Sequence, residues 1–499
     1  MHDPGLKLAI GDTFVLPPLT EGDTPVTAVQ DLPELELGSV YHDTVDLRLA
    51  RSGATLRYRI GQEGGPCWSL KLPVPERGDS GREELSFAGG PAEIPQAARD
   101  LVTAWARRGH LALAAALSTR RRRWLLIGAD GSELAELVQD DVSVLDGDRV
   151  IGRFRELELE SRGPALEALR PIVLLLQRAG ATRAEPVPKA VRALGPRAAA
   201  APDVVVPAPD PEAPGGEAVR FALAAGTRRL LEHDAPTRLG EVEGVHQMRV
   251  ATRRLRADLR TFAPLVDDEW AGGLVDELRW LGRMLGEVRD RDVQLEVLAS
   301  VDADLEDALA QLRTAISDAR DEARGELEAA LAGSRYLDLL ERMVQAARDP
   351  LLTEAADPPA ADAMPDVLAS RADRTRRSMK RLTEDSDDAA YHRVRVHAKR
   401  LRYAAEAIGP FLRDHGDRAA RLAEAATAVQ DLLGAHQDAL VMEGQVRQTA
   451  DVHRKDPAFA FAAGRYIERL EGRRRALRAD YPAARDALLK RVKRWRSSR

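Results

Sequence analysis

The chain has 499 residues, and its 74 Lys and Arg and 80 Asp and Glu leave a formal net charge of −6. This length suits roughly two to four domains. The acidic balance excludes a protein that is basic over its whole surface, so any polyanion site must be a local patch. The single cysteine, Cys67, excludes a disulfide framework and a metal site built from several cysteines.

The first residues and the hydropathy of the chain predict a soluble protein. Residues 1–5 lack the charged and apolar regions of a signal peptide. No apolar run approaches the roughly 18 residues that a membrane-spanning helix needs. We therefore expect a cytoplasmic protein without a membrane partner.

The region 1–183 shows the alternation of apolar and polar residues that is typical of strands. The predicted strands cover residues 54–60, 67–74, 83–87, 118–127, 133–145 and 150–160. Asp130-Gly131 predicts a hairpin turn between two of them. Helices are predicted at 94–108 and 166–178.

Several predicted strands carry charged residues on one face and apolar residues on the other. Arg57 and Arg59 occupy alternate positions of one strand, and Glu158 and Glu160 do so on another. One explanation is a solvated outer face, which antiparallel sheets commonly have. The alternative is a closed barrel with a charged lumen and helices packed outside. Such a lumen would hold a multivalent anion on its basic strands and Mg²⁺ or Mn²⁺ on its carboxylates.

Five ordered blocks of this region resemble the CYTH domain, a family also called the triphosphate tunnel metalloenzymes. The blocks are YHDTVDLRLA at 41–50, TLRYR at 55–59, WSLKLP at 68–73, REE at 82–84 and RELELE at 155–160. Over roughly residues 3–195, the resemblance implies an eight-stranded antiparallel tunnel. Members of that family bind or hydrolyse triphosphates with a divalent metal.

The resemblance also implies roles for individual residues. Contacts to a triphosphate are implied for the cations Lys7, Arg57, Arg59, Lys71, Arg82, Arg121 and Arg123. Contacts to Mg²⁺ or Mn²⁺ are implied for the acids Asp3, Glu158 and Glu160, of which the last two are also the catalytic candidates. Glu136 and Asp140 are further acidic candidates on the preceding strand.

The first strand departs from the pattern of the family, which is Glu-x-Glu-x-Lys. Here Lys7 is retained, Asp3 is a shorter acid, and Gly5 stands in place of the second Glu. The loss of one carboxylate should weaken a metal site. It is therefore left open whether this domain is a metal-dependent inorganic triphosphatase or only binds a triphosphate.

A linker and a helical region follow. Residues 184–216 are rich in proline and alanine, which predicts a semi-extended linker. From residue 217 onward the strand signals end. Helices are predicted at 217–233, 243–264, 268–299, 302–331, 335–347, 361–380, 387–411, 416–447, 451–472 and 475–497.

One basic segment of this helical region occurs twice. Residues 246–256 are HQMRVATRRLR, and residues 392–402 are HRVRVHAKRLR, 146 positions later. The spacing i, i+3, i+7, i+10 places the cations of each copy on one helix face. These two stripes consist of His246, Arg249, Arg253 and Arg256, and of His392, Arg395, Lys399 and Arg402. Like charges at this spacing repel, so each stripe is solvated, pairs with nearby acids or lies along a polyanion, and arginine suits phosphate.

A second repeat pairs Leu285-Gly286, followed by Asp290, with Leu433-Gly434, followed by Asp438. Both repeats predict a duplicated helical unit. They resemble the CHAD domain, a family of conserved-histidine α-helical domains that often follows a CYTH domain.

The resemblance covers roughly residues 217–499 and implies two helical bundles, 217–350 and 360–499, related by a pseudo-twofold axis. It also implies that basic residues of both bundles bind inorganic polyphosphate. These residues are His246, Arg249, Arg253, Arg256, His392, Arg395, Lys399, Arg400 and Arg402.

The histidines His246, His392, His397 and His436 allow three roles, which are hydrogen bonding to phosphate, structural capping and metal binding. A cationic neighbourhood lowers the pKa of a histidine and repels metal ions.

Three functions remain after these steps. The first is polyphosphate binding by the helical half, with the β domain as a second anion site. The second is metal-dependent triphosphatase activity, with the helical half tethering the substrate. The third is binding to the phosphate backbone of RNA, against which the aromatic content of 4% argues because base stacking requires aromatic side chains.

Overall fold

The computed structural model describes residues 6–62, 64–73, 82–163, 166–183, 187–299, 309–383, 386–413, 415–452 and 455–496. The chain divides into two compact units, Met1–Asp203 and Val204–Arg499. The first unit is built on an antiparallel sheet, and the second is helical. The division falls within the predicted linker.

Within the described residues, the sheet of the first unit has nine strands, whereas the resemblance implied eight. The strands are β1 (Leu6–Ile10), β2 (Val26–Asp43), β3 (Thr55–Ile60), β4 (Cys67–Pro73), β5 (Arg82–Phe87), β6 (Ala112–Gly128), β7 (Glu133–Asp146), β8 (Arg149–Ser161) and β9 (Thr182–Arg183). Their order is β5-β4-β3-β2-β6-β7-β8-β1-β9. The sheet therefore has β5 at one end and β9 at the other.

The longest strand, β2, is not among the predicted strands. Pro33 lies in its middle and has no backbone N–H to donate. The pairing of β2 with β6 also shifts in register between Leu32 and Leu35. These two interruptions break the alternation of apolar and polar residues on which the prediction of strands depends.

One face of the sheet is apolar and is covered by a helix. The helices of this unit are α1 (Arg48–Arg51), α2 (Gln96–Leu101), α3 (Thr103–Ala106), α4 (Arg170–Arg178) and α5 (Lys189–Leu194). Leu8, Leu137 and Leu157 are buried in one cluster with Ile172 and Leu176 of α4. Because side chains alternate along a strand, the charged neighbours of these leucines lie on the opposite face.

Helix α5 packs on the charged face of the sheet, near one end. Ala190 of α5 is buried in a cluster with Tyr41 and Val142. A 3₁₀ turn at Pro196–Ala199 follows and buries Ala198 against the same unit. Alanines of the predicted linker thus make small apolar contacts, and this part of it is folded rather than extended.

The second unit consists of helices of very different lengths. They are α6 (Gly215–Glu232), α7 (Asp234–Arg238), α8 (Val242–Thr261), α9 (Asp268–Ala299), α10 (Ala310–Ala332), α11 (Ser334–Arg348), α12 (Ala360–Lys380), α13 (Asp388–Ile408), α14 (Gly416–Val452) and α15 (Pro457–Arg496). The prediction of separate helices at 451–472 and 475–497 is wrong, because α15 runs without a break from Pro457 to Arg496. In the part of the chain that is described, no helix combines the length and the apolar character that crossing a bilayer requires.

The two basic segments form α8 and α13, and each buries its apolar face. Met248 and Leu255 of α8 are fully buried, as are Ala398 and Leu401 of α13. Helix α8 packs against α9, α13 packs against α14, and α8 and α13 contact each other. The core contacts therefore bring the two basic stripes, which are 146 positions apart in sequence, into one neighbourhood.

Candidate functional site

The repeated glycines lie against the repeated arginines. A Cβ atom added to Gly286 would lie 3.6 Å from Nε and 3.8 Å from Nη2 of Arg249. A Cβ atom added to Gly434 would lie at the same two distances from the same atoms of Arg395. Each arginine thus extends across the surface of the neighbouring helix at a residue without a side chain. The two halves repeat this contact in the same geometry.

The stripes of α8 and α13 converge on Lys399. The pKa of the Lys399 ammonium is lowered from 10.5 to about 6, chiefly by burial. The positive charges of Arg253, Arg395, Arg249 and Arg256 lower it further. Two helices therefore place four guanidinium groups around one amine. We refer to these five residues as the central cluster.

Two aspartates border the central cluster. Arg249 Nη2 lies 3.0 Å from Oδ1 of Asp290. The pKa of Asp438 is raised because burial outweighs the attraction of Arg395, and the charge of Asp290 adds repulsion. Arg395 and Asp438 also line a cavity of about 340 Å³, together with Arg473 of α15.

Hydrogen-bond donors of the basic stripes remain unused. The Nε atoms of Arg256, Arg395 and Arg402 are buried, and within the described part of the protein they have no hydrogen-bond partner. A buried donor without a partner is costly, and an anion would satisfy it.

The remaining residues of the stripes differ in their surroundings. Arg253 Nε donates to the hydroxyl of Tyr403 over 3.1 Å. Arg402 lies with its guanidinium 4.7 Å from the ring centre of the same tyrosine. Arg400 does not belong to the central cluster. Its charge instead lowers the pKa of Arg371 and of His397.

The four histidines have separate environments. Burial, followed by the charge of Arg289, lowers the pKa of His246. His392 Nδ1 lies 3.1 Å from Oε1 of Gln437. His436 is buried, stacks on a tyrosine ring and accepts a hydrogen bond from Arg478 Nε over 3.1 Å. In the described residues, no group of three or more His, Cys, Asp or Glu is arranged to hold a metal ion.

The charged face of the sheet carries a second basic group. Arg57, Arg59 and Lys71 surround Glu84, with nitrogen–oxygen distances of 3.3, 3.2 and 3.0 Å. The hydroxyl of Ser69 also donates to Glu84 over 2.6 Å. Burial raises the pKa of Glu84, but the bond from Ser69 and the charge of Lys71 outweigh it and lower that pKa to about 2.

The sheet is strongly curled. The pKa of Lys71 on β4 is lowered by burial, by the charge of Arg57 and also by the charge of Lys7 on β1. These strands are six positions apart in the sheet order. In a flat sheet, with strands about 4.8 Å apart, they would be separated by roughly 29 Å. The two ends of the sheet therefore approach each other around the charged face, which we call the concave face.

The acidic side of the concave face is largely paired with cations. Arg121 makes two bonds of 2.8 Å to Asp140, and Arg123 Nε donates to Glu136 over 2.6 Å. These predicted phosphate contacts thus already have carboxylate partners. Lys189 of α5 is paired with Asp140 as well.

Glu158 and Glu160 have fewer compensating charges. Lys7 Nζ lies 3.4 Å from Glu158. The pKa of Glu160 is raised by burial and by the neighbouring charges of Glu158 and Glu136. Two such carboxylates fit Mg²⁺ or Mn²⁺, because these ions are commonly held by one or two carboxylates together with substrate phosphates. Asp3 and the side chain of Arg82 lie outside the described residues.

Sequence reasoning found the stripes but missed charges of α9 around them. Arg289 and Arg279 act on Arg249 and Arg256 of the central cluster. Neither arginine is matched by a basic residue in the second copy of the repeat, so the repeat does not mark them. The sequence analysis included Glu84 in the block at 82–84 but predicted no role for it.

A curled antiparallel sheet with a charged concave face, followed by a helical unit with a repeated basic cluster, defines a two-domain protein. A CYTH domain model matches residues 28–190, and a CHAD domain model matches residues 221–447. The chain belongs to the family in which a CYTH domain precedes a CHAD domain.

Similar proteins cover both domains or the helical one. An uncharacterized protein of Mycobacterium tuberculosis is 31% identical over an alignment of 475 positions, which covers 87% of this chain and 86% of the relative. PptA from Streptomyces chartreusis is 24% identical, covers 56% of this chain and 100% of its own, and has a TM-score of 0.44. The CHAD domain from the plant Ricinus communis is 26% identical, covers 58% and 95%, and has a TM-score of 0.45.

The crowding of cations predicts a gain in stability for Lys399→Met. The folded pKa of Lys399 is about 6, below its ordinary value of 10.5. The folded state therefore binds fewer protons than the unfolded state between these values, and stability rises with pH there. Removing the amine should raise the free energy of unfolding by roughly 1–3 kcal/mol near pH 6, and the gain should vanish towards pH 10.

Urea unfolding of the wild type and of Lys399→Met across this pH range measures the effect. A variant that is less stable at every pH would show that the amine has a favourable partner in the folded state.

Proposed function

We propose that the helical unit binds inorganic polyphosphate through the central cluster, and that the concave face of the sheet binds a triphosphate together with Mg²⁺ or Mn²⁺. The observation that carries the first part is the position of Lys399 among four arginines from two helices. Isolated basic stripes are compatible with simple solvation. Cations that depress each other's pKa need a counter-charge in the same place.

The chemistry of the central cluster favours phosphate. An arginine fork donates two parallel hydrogen bonds to one oxyanion, and buried Nε atoms are available for such bonds. A linear polyanion offers one negative charge after another, so it can reach α8 and α13 at once. The glycines at 286 and 434 support this, because they leave the arginine planes uncovered by a neighbouring side chain.

RNA is a weaker candidate for the same site. The cavity beside Arg395 is lined by polar and aliphatic residues, and none of its described lining residues is aromatic. Tyr403, which contacts Arg253, is 1% exposed and cannot stack on a base. Binding would then depend on phosphate contacts alone.

The concave face supports an anion site of a different kind. Arg57, Arg59 and Lys71 are held by Glu84, so an incoming triphosphate has to compete with this carboxylate. Glu158 and Glu160 would hold the divalent cation, which polarises phosphoryl oxygens when it is bound. The basic residues would orient the anion and neutralise its charge.

Metal-dependent hydrolysis of a triphosphate is the second candidate function. The raised pKa of Glu160 beside Glu158 favours it, because two carboxylates that repel each other gain from a cation. The altered first strand, with Gly5 in place of a carboxylate, favours binding without turnover.

Loss of the stripes should weaken binding of polyphosphate. Arg249→Ala with Arg253→Ala, or Arg395→Ala with Lys399→Ala, should each reduce affinity about ten-fold or more, since each pair removes charge-assisted hydrogen bonds. The salt dependence of affinity should also become shallower, as fewer counterions are released.

Titration at several salt concentrations measures both effects. The matched control is Arg342→Ala with Arg348→Ala, which removes two exposed arginines of α11. If the stripe variants keep the affinity and salt slope of this control, the central cluster is not the site.

Binding should also depend on pH through Lys399. A bound polyanion favours the charged amine, so binding takes up a proton above the free pKa of about 6. Affinity should fall as the pH rises from 6 to 8. Lys399→Arg keeps its charge throughout and should lack this part of the dependence. Calorimetry in buffers of different ionisation enthalpy measures the proton uptake directly, and equal uptake by both proteins would refute this role of Lys399.

Hydrolysis is tested by phosphate release from tripolyphosphate with Mg²⁺ or Mn²⁺, using the full chain. If the concave face is catalytic, turnover should require the metal and should fall at least about a hundred-fold in Glu158→Gln. Retained binding of tripolyphosphate without any turnover would identify the first unit as a binding domain. Turnover that persists in Glu158→Gln would place the chemistry elsewhere.

A further inference from the structure

Helix α13 has a second basic face that the central cluster does not use. Arg393, His397 and Arg400 lie at i, i+4 and i+7, on a different side of the helix from Arg395 and Lys399. At the corresponding positions of α8, 146 residues earlier, the chain has Gln247, Ala251 and Arg254. The second basic face therefore belongs to one half only, and the duplication does not account for it.

Helix α12 directs a stripe of its own towards this face. Arg374, Arg377 and Arg381 follow the spacing i, i+3, i+7. Together with Arg393 and His397 they line a groove of about 340 Å³ between α12 and α13. The other lining residues are Ser378, Leu382 and Ala390. Among the residues described there, the lining contains five basic side chains and neither an acidic nor an aromatic one.

Further arginines lie between the groove and the central cluster. Arg371 of α12 donates a hydrogen bond from Nη2 to the backbone carbonyl of Arg260 on α8. The pKa of Arg371 is lowered to about 10, chiefly by burial and further by the charges of Arg374, Arg400 and Arg260. The pKa of Arg256, a member of the central cluster, is likewise lowered to about 10. Burial is the main cause, and the charge of Arg260 is the next. Cations thus follow one another from the groove to the central cluster.

Among the described residues, the ion pair that an arginine of the groove makes with an acid is weak. The ion pair of Arg393 with Asp387 spans 4.0 Å, and its side chains are 65% and 72% exposed. Such an exposed pair contributes little and is easily broken. Basic residues from α12, from the residue after it and from α13 thus line one groove without an acid among its described lining residues, which makes the groove attractive to an anion.

We propose that the groove between α12 and α13 is a second phosphate-binding subsite, which continues the path of a polyphosphate chain beyond the central cluster. The proposal rests on the proposed function of that cluster and adds a preference for long chains. A short anion occupies one site. A chain that reaches both the groove and the central cluster binds more tightly, because the first contact raises the effective concentration of the chain at the second site. The lack of aromatic lining favours polyphosphate over single-stranded RNA, which would need base stacking.

The test compares tripolyphosphate and long-chain polyphosphate as ligands of the full chain, by calorimetry or competition. Arg374→Gln, Arg377→Gln and Arg381→Gln, combined in one protein, should weaken binding of the long chain about ten-fold and change the affinity for tripolyphosphate less than about two-fold. The matched control combines Arg229→Gln, Arg342→Gln and Arg348→Gln, which remove the same charge from exposed positions of α6 and α11, and it should bind both ligands as the wild type does.

Each outcome distinguishes the groove from the central cluster. Equal affinity of the groove variant and the control for the long chain would overturn the subsite, and so would equal losses with both ligands. A wild type that binds neither ligand would refute the proposed function itself. If single-stranded RNA of equal phosphate content competes as well as polyphosphate and loses this ability in the groove variant, polyphosphate is not the specific ligand.

A conservative variant covers the case in which the triple glutamine protein is unstable. Arg374→Lys, Arg377→Lys and Arg381→Lys keep the charges and should retain most of the long-chain affinity, with a measurable loss from the missing bidentate bonds. Affinity of this lysine variant as low as in a central-cluster variant, with an unchanged unfolding transition, would contradict a subsite that acts through charge.

Discussion

Repulsion between cations is the constraint on which the helical unit depends. The buried faces of α8 and α13, with Leu255 and Leu401 fully inside the core, hold Lys399 beside arginines of both helices. Apolar burial, at roughly 25 cal/mol per Å², is strong enough to impose such an arrangement. Side-chain hydrogen bonds also join the two helices, from Arg254 to Glu406 and from Arg253 to Tyr403. The fold therefore stores an electrostatic cost at one place, which a ligand of opposite charge can release.

In the sheet, by contrast, basic side chains are paired with carboxylates. Arg121 is paired with Asp140, and Arg123 with Glu136, so an anion that bound these cations would compete with carboxylates. In the helical unit Arg249 is paired with Asp290, but the charges that act on Lys399 are those of four arginines. The two units thus surround their cations differently.

Sequence spacing predicted the helices and the stripes because a repeat at i, i+3, i+7, i+10 is a local property. It could not predict that Lys399 faces the stripe of α8, since this follows from how two distant helices pack. The groove was missed for a related reason, because Arg374, Arg377 and Arg381 have no repeated copy. In the sheet, Pro33 and a register shift concealed β2, and α5 was hidden in a proline-rich segment whose alanines find a surface to pack on.

Helix α5 has a geometric consequence for anything that enters the concave face. It packs across one end of that face, and Lys189 and Arg192 bind the carboxylates of Asp140 and Glu156 there. A linear anion that entered the concave face would therefore meet, at this end, a helix whose cations are already neutralised by carboxylates. Helix α5 would then limit how far the anion reaches rather than contribute to binding it.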